Sequence, residues 1–367
     1  MAPSVAEAMM DCLRQRLANP ASSHRLGQQA RRRLESARQA IAGAVNARLD
    51  LHPPDRVLLT SGATEANHLA LRGMAALRPG AIVVSSIEHP SVRGCADQLA
   101  ESGREVRVVR CDSRGVIDLG HLEELLAPPV AVVSLMLANN ETGVVQPIGQ
   151  AARLCRATSA PLHCDAVQGI GKLDVDFRQL DVDAMTFNAH KLHGPVGIGA
   201  LVLRAGVQVA PLMRGGGQQL GTRPGTESVA LAVGFAAALE LWQQTPADHR
   251  RRLAVLRDEL EACLATDADA VVVGGAAARV PHTLNVAFPG INRQELLLAL
   301  DVAGIACSTG SACASGSSEP SPVLLAMGLA EPIVEGAIRL SLGLDTTEEE
   351  VRQAARQIVS VVARLRR

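Results

Sequence analysis

Lys191 and Asp165 are the residues of this chain whose types and setting point most directly to joint chemistry. Lys191 lies in the run Asn188–Ala200 (N-A-H-K-L-H-G-P-V-G-I-G-A), after an expected strand at Ala184–Phe187 and before a turn rich in Gly and Pro. Such a turn lets backbone come close to a flat ligand. Upstream lies His163-Cys164-Asp165-Ala166-Val167-Gln168, again at an expected strand end. A lysine amine can hold an aldehyde as a Schiff base, and a carboxylate can pair with a pyridinium nitrogen. The two at successive strand ends are what pyridoxal 5′-phosphate (PLP) requires. Taken singly, each has a plainer reading: a surface lysine in a loop and a helix-capping aspartate.

Other segments could complete such a site. Ser61-Gly62-Ala63-Thr64 stands between an expected strand and helix, where small residues expose the first helical N–H groups to a phosphate and Thr64 adds a hydroxyl. Its plain alternative is an ordinary N-cap. Arg214–Gln218 and Arg223-Pro224-Gly225-Thr226 form a Gly-rich, cationic stretch that alone is only a loop. His89 follows a strand end, where a histidine could stack on a ring and move protons, or simply cap the loop. Asn139-Asn140-Glu141-Thr142-Gly143 offers amides to a ligand, or is a turn. Arg339 sits in the expected strand Ile338–Leu342; it could take a substrate carboxylate bidentately or form an internal salt bridge. Ser308–Ser318 places Cys313 among very small residues that have little to pack with, as an exposed reactive thiol would be. Cys155 and Cys263, on expected helices, read as small hydrophobes.

The elements that must hold these residues follow from the apolar runs. Val57–Leu59, Ala81–Ser85, Val106–Val109, Val130–Leu137, Pro161–His163, Ala184–Phe187 and Gly199–Leu203 read as seven buried strands alternating with helices, hence an α/β fold with a mostly parallel seven-stranded sheet. One helix shows its apolar face at Ala66, Leu69, Ala70, Met74 and Leu77, and another covers Ile148–Thr158. The pattern breaks near Gln243–His249. A smaller C-terminal α/β domain follows, with helices at Leu253–Leu264 and Gln294–Val302 and strands at Val271–Val273, Thr283–Phe288 and Ile338–Leu342. Its last helix opens with a capping box, Thr347 and Glu350. The expected division is 15–245 for the large domain and 246–367 for the small one, with residues 1–14 packing on the latter.

Composition narrows the classes. Apolar residues are 47% and charged residues 20%, as in ordinary globular proteins. Aromatics are 1% and net charge is −1, so neither base stacking nor a global pull toward nucleic acid or membrane is expected. Arg31-Arg32-Arg33, with Arg25 and Arg38, reads as a solvated helix face because Glu35 breaks the run. No apolar run spans a membrane, no secretory leader is expected, and scattered cysteines without CxxC repeats suit reduced thiols in the cytoplasm rather than disulfides or a metal.

Read in order, S-G-A-T-E-A-N, S-S-I-E-H-P-S-V, N-N-E-T-G-V-V-Q-P-I, H-C-D-A-V-Q-G-I-G-K, A-H-K-L-H-G-P-V-G-I-G-A, G-T-R-P-G-T-E, S-T-G-S-A-C and I-R-L-S-L-G resemble the cysteine desulfurases. The resemblance is to the iron–sulfur assembly and nitrogen-fixation branch, in the class V aminotransferase group of fold-type I PLP-dependent transferases, and runs from about Asn19 to the C-terminus. The cysteine loop is similar to the long-loop subgroup. The resemblance implies a homodimer that converts L-cysteine to L-alanine. Lys191 would carry PLP, Asp165 would hold its ring nitrogen, His89 would stack on it and Gln168 would contact the ring hydroxyl. Ala63, Thr64 and His190 would bind phosphate, with Thr226 reaching in from the partner subunit. Asn140 would contact cofactor and substrate, and with Arg339 would grip the substrate carboxylate. Cys313 would take the sulfur as a persulfide, for transfer to an acceptor protein such as an iron–sulfur scaffold.

Four departures accompany the resemblance. The family's usual opening strand with D-x-x-A-T-T has no counterpart here, Asn188 stands where a phosphate-binding serine is usual, Gln219 replaces a frequent Glu, and Pro322 a frequent His. Two other readings stay open: a selenocysteine lyase or other class V PLP lyase, and a weakly active relative serving as a scaffold.

Overall fold

Seven apolar runs pair into one sheet: β1 (Arg56–Thr60), β2 (Ala81–Ser85), β3 (Val106–Val109), β4 (Val130–Met136), β5 (Leu162–Asp165), β6 (Ala184–Asn188) and β7 (Gly199–Leu203). This computed structural model describes residues 1–244, 247–310 and 319–367. The strand order is β1-β7-β6-β5-β4-β2-β3, and only β7 runs against its neighbours. Strands β2, β5, β6 and β7 are buried throughout, the environment that unbroken apolar runs require.

The helices around this sheet are α1 (Pro3–Arg14), α2 (Arg25–Ala44), α3 (Ala63–Ala75), α4 (Pro90–Glu101), α5 (Leu119–Leu125), α6 (Ile148–Ala157), α7 (Phe177–Leu180) and α8 (Val229–Gln244). On α3 the expected face is buried at Ala66, Leu69, Ala70 and Met74, where it meets Ile82, Val84 and Leu201. Leu77 lies beyond the helix end and is exposed. On α2, Arg25, Arg31, Arg32 and Arg33 face solvent while Leu34, Ala37 and Ile41 are buried. Arg38 departs from that face and pairs with Glu227 at 2.6 Å. Phe187 of β6 meets Phe235 of α8 edge to face at 5.6 Å, a contact of about 0.5–1.5 kcal/mol beyond the area buried.

The chain divides into two compact units. The first comprises Met1–Val109, Leu119–Leu137 and Pro147 to the end of α8; the second comprises Arg110–Asp118, Ala138–Gln146 and the chain from Ala247 onward. Residues 1–14, expected on the C-terminal part, instead form α1 against α8 of the first unit. A Cβ at Gly234 of α8 would collide with Met9 of α1, so the bare backbone there admits the close crossing. The Ala2 N–H also donates to the His193 carbonyl at 2.8 Å.

The second unit contains α9 (Ala247–Asp267), β8 (Val271–Val272), β9 (Thr283–Ala287), α10 (Arg293–Val302), α11 (Pro322–Ala326), α12 (Glu331–Glu335), β10 (Ala337–Ser341) and α13 (Glu348–Leu365). Its sheet is antiparallel in the order β10-β9-β8. Leu256, Leu260 and Leu264 of α9 and Val351, Ile358 and Val362 of α13 bury its apolar residues. Thr347 and Glu350 make both hydrogen bonds of the capping box at the start of α13. Among the described residues no helix is long and apolar enough to cross a membrane.

Candidate active site

In an open α/β sheet, ligands collect beyond the carboxyl ends of the parallel strands. In the first unit those ends deliver Ser61–Thr64 after β1, Glu88 and His89 after β2, Asp165–Gln168 at β5, and Asn188–Lys191 at β6.

Asp165 is buried, and its two oxygens are held apart in role. Oδ1 accepts from the Val167 N–H at 3.0 Å and Oδ2 from Asn67 Nδ2 at 2.8 Å. The other Asn67 amide proton goes to Ser91 Oγ at 2.9 Å, which lies 2.8 Å from His89 Nδ1. The Ser91 N–H also donates to that Nδ1, at 3.1 Å. Nδ1 is therefore an acceptor, the Ser91 hydroxyl donates to it, and the ring proton belongs on Nε2. His89 does cap α4, as its plainer reading held, and the same bond sets its tautomer. Burial lowers the His89 pKa, opposed by Asp165 and reinforced by Lys191, so the ring is neutral near pH 7. Burial raises that of Asp165, against the pull of His89 and its hydrogen bonds to Asn67 and Val167. No cationic side chain is hydrogen-bonded to Asp165 among the described residues.

Glu88, unmarked in the sequence reading, lies behind this acid. Its Oε1 accepts from Ser85 Oγ at 2.5 Å and from the Met136 N–H at 2.9 Å, while Oε2 is buried without a hydrogen-bond partner among the described residues. Burial, with the nearby Asp165, pushes Glu88 up to about 8 despite those bonds. It stands as a neutral acid at pH 7.

Lys191 occupies a single 3₁₀ turn, His190–Leu192, closed by His193 in the left-handed region at φ 58°. The Gly194 N–H returns to the Ala189 carbonyl at 3.0 Å, and a Cβ on Gly194 would strike Ala189, so this reversal needs glycine. His190 and Lys191 are both exposed at this end. Desolvation by the surrounding protein, then Lys191 and Lys172, lower the His190 pKa.

The expected phosphate seat is the start of α3, with Gly62 as N-cap and Ala63 and Thr64 in the first turn. Gly199 of β7 lies under it: a Cβ there would come within 2.9 Å of the Ala63 nitrogen. Thr60, Gly199 and Asn188 form one row across β1, β7 and β6. Asn188 is buried, and its Oδ1 has no partner among the described residues. Glu65 accepts from the Ser61 N–H at 2.6 Å and from Arg223 at 2.7 Å, tying the Gly-rich stretch to this turn. Burial would raise Glu65, but Arg223 and Ser61 hold it below its ordinary value. Gln219 accepts from the Leu59 N–H at 2.6 Å and donates to the Leu59 carbonyl at 2.8 Å, sealing edge strand β1. A glutamate could make only the first bond. Gln168 is half-buried after β5, and Thr226 is exposed.

The residues present fit PLP: the buried Asp165 carboxyl group suits a ring nitrogen, a helix start with a bare glycine beneath it suits a phosphate, and Lys191 on its turn supplies an amine.

Asn140 and Arg339 belong to the second unit. Arg339 donates from Nη1 to the Asn140 carbonyl at 2.8 Å, and Asn140 Oδ1 is buried without a partner among the described residues. Ser308 pairs with Arg339 through backbone bonds in both directions. Glu141 accepts from Ser321 Oγ at 2.6 Å, and a Cβ on Gly310 would strike its carboxylate. Cys313, the proposed nucleophile, lies outside the described residues. Burial pushes Cys307 and Cys95 up to about 11 and Cys155 up to about 12, which keeps these thiols inert. Cys155 is a buried small hydrophobe, whereas Cys263 is half-exposed on α9 and lies 3.5 Å from Asp267.

Residues 1–354 match the family model "Aminotransferase class-V". The chain is 39% identical over 365 residues to the cysteine desulfurase NifS of Azotobacter vinelandii, covering 99% of this chain and 90% of that one. A solved "NifS-like protein" superposes with a TM-score of 0.92 at 34% identity, covering all of this chain and 97% of the other. The structure described as SspA in complex with cysteine superposes with a TM-score of 0.81 at 32% identity, over 93% of this chain and 95% of that one. The chain belongs to the aminotransferase class-V family, in the group of the cysteine desulfurases.

Proposed function

We propose that this chain is a PLP-dependent cysteine desulfurase: L-cysteine and the Cys313 thiol yield L-alanine and a Cys313 persulfide. The observation that carries the reading is the Asp165–Asn67–Ser91–His89 chain at the strand ends that also deliver Lys191. Bound PLP would supply an electron sink for bonds at the substrate carbons. Asp165 keeps the ring nitrogen protonated, Ala63, Thr64 and His190 hold the phosphate, and Gln168 meets the ring hydroxyl. Asn188 can donate its amide protons where relatives use serine. Lys191 anchors the aldehyde and, once displaced, moves protons. His89 stacks on the ring, with Nε2 as its donor. Arg339 and Asn140 take the substrate carboxylate, and Asn140 also reaches the cofactor. Similarity to a protein solved with cysteine supports cysteine as substrate.

In this reading the enzyme is a cytoplasmic homodimer, with Thr226 completing the partner's phosphate site. The persulfide passes to an acceptor protein such as an iron–sulfur scaffold, without nucleic acid or membrane. The test is alanine and sulfide release from L-cysteine by wild type and Cys313→Ala in the presence of a thiol reductant. The reading expects the variant to lose release while retaining bound PLP. Full activity in the variant rejects the persulfide route in favour of a lyase that needs no enzyme thiol.

A further inference from the structure

Of the 36 basic residues that are Lys or Arg, only Lys172 and Lys191 are lysines. The two touch. Lys172 is buried, and its Nζ donates to the backbone carbonyl of Lys191. The same Nζ lies 5.1 Å from the centre of the Trp242 ring of α8, whose Nε1 donates to the Leu192 carbonyl at 3.1 Å. Gly171 has φ 77°, and a Cβ on it would strike Leu192 and Trp242, so this segment is pressed onto the back of the Lys191 turn. No acid is hydrogen-bonded to Lys172 among the described residues. A chain that uses arginine everywhere else keeps an ammonium here, where a compact charge that can give up its proton differs most from a guanidinium.

We propose that Lys172 is a positioning residue for Lys191: by donating to the Lys191 carbonyl it fixes the turn and so sets where the Lys191 amine stands. The inference rests on Lys191 being the PLP lysine. The carbonyl and the Trp242 face both stabilise a charge on Lys172. Burial, then repulsion from Lys191, lowers Lys172 to about 7, so Lys172 is the first of the two amines to lose its proton, and the neutral amine still has N–H donors for the carbonyl. The groups that face the pair are His190 on the same turn, His193 stacked on Trp242, His89 at the start of α4, and Asp165, which acts on that histidine. In ligation, the uncharged Lys191 Nζ adds to the aldehyde carbon, C=N replaces C=O, and the oxygen leaves as water.

The experiment uses the full chain freed of cofactor, with PLP added back between pH 5.5 and 10. The rate of covalent attachment is read by borohydride trapping and peptide mass. Wild type, Lys191→Ala, Lys172→Met and Lys172→Arg are compared. Attachment to Lys191 in wild type and its absence in Lys191→Ala secure the underlying reading; attachment elsewhere overturns that reading and not the proposal alone. With Lys191 confirmed, Lys172→Met, which removes the donor to the Lys191 carbonyl, slows attachment about fivefold across the pH range and leaves the pH midpoint unmoved. Lys172→Arg, which keeps a donor, stays within about twofold of wild type. An unchanged rate in Lys172→Met, or the same loss in Lys172→Arg, overturns the proposal. Should Lys172→Met fail to fold, Lys172→Ala is read in its place against the same two outcomes.

Discussion

The strand ends of the first unit and the Asn140–Arg339 pair of the second hold their polar groups in opposite ways. In the first, side chains fix one another: Asp165, Asn67, Ser91 and His89 form a continuous sequence of donors and acceptors, in which Asn67 Oδ1 has no partner among the described residues. In the second, Arg339 donates to the backbone carbonyl of Asn140. Side chains that hold one another resist reorientation and suit a cofactor held through every turnover. A side chain anchored on backbone adapts more readily to a ligand that comes and goes. The first set should govern kcat and the second KM.

The largest effect is expected at Asp165. Asp165→Asn should lower kcat about 10²–10⁴-fold with little change in KM for cysteine; an equal loss from KM alone would erase the contrast. Arg339→Lys should raise KM about ten- to a hundredfold, with kcat and bound PLP near wild type, because one bidentate charged contact is lost. A kcat defect of that size would place Arg339 with the first set.

Glu88 sharpens the comparison through pH. Its native carboxyl keeps its proton to about 8, while the unfolded chain releases it near the ordinary glutamate value. Between those limits the native state binds more protons, so this group makes stability fall as pH rises, by at most about 1.4 kcal/mol per pH unit. Glu88→Gln should flatten that slope. Urea midpoints at pH 5.5 and 8 measure it, and parallel slopes for both proteins would show an ionised Glu88. The smallest effect belongs to Ser91→Ala. Loss of one hydrogen bond, about 1 kcal/mol, should reduce kcat roughly fivefold and mix the His89 tautomers seen by nitrogen NMR. An unchanged tautomer would mean that the Ser91 N–H alone suffices.

The sheet was readable because strands buried on both faces are near-continuous apolar runs, and their ends point to Asp165 and Lys191. The capping box of α13 was readable because it is local in sequence. Glu88 was not: its burial depends on the Met136 N–H, far along the chain. Membership of residues 138–146 in the second unit is likewise set by distant partners, through the Val145–Ala278 and Val280–Gly143 backbone bonds. Pro90, Pro322 and Pro332 in the first turns of α4, α11 and α12 were local helix-start signals that apolar periodicity passed over. Placing α1 on α8 required a glycine whose meaning appears only when two helices cross.

The most direct test of the whole account is to reduce the PLP-loaded protein with borohydride and map the label between its two lysines. The account predicts the PLP mass on the Lys191 peptide alone; label on Lys172, or on neither, would contradict it.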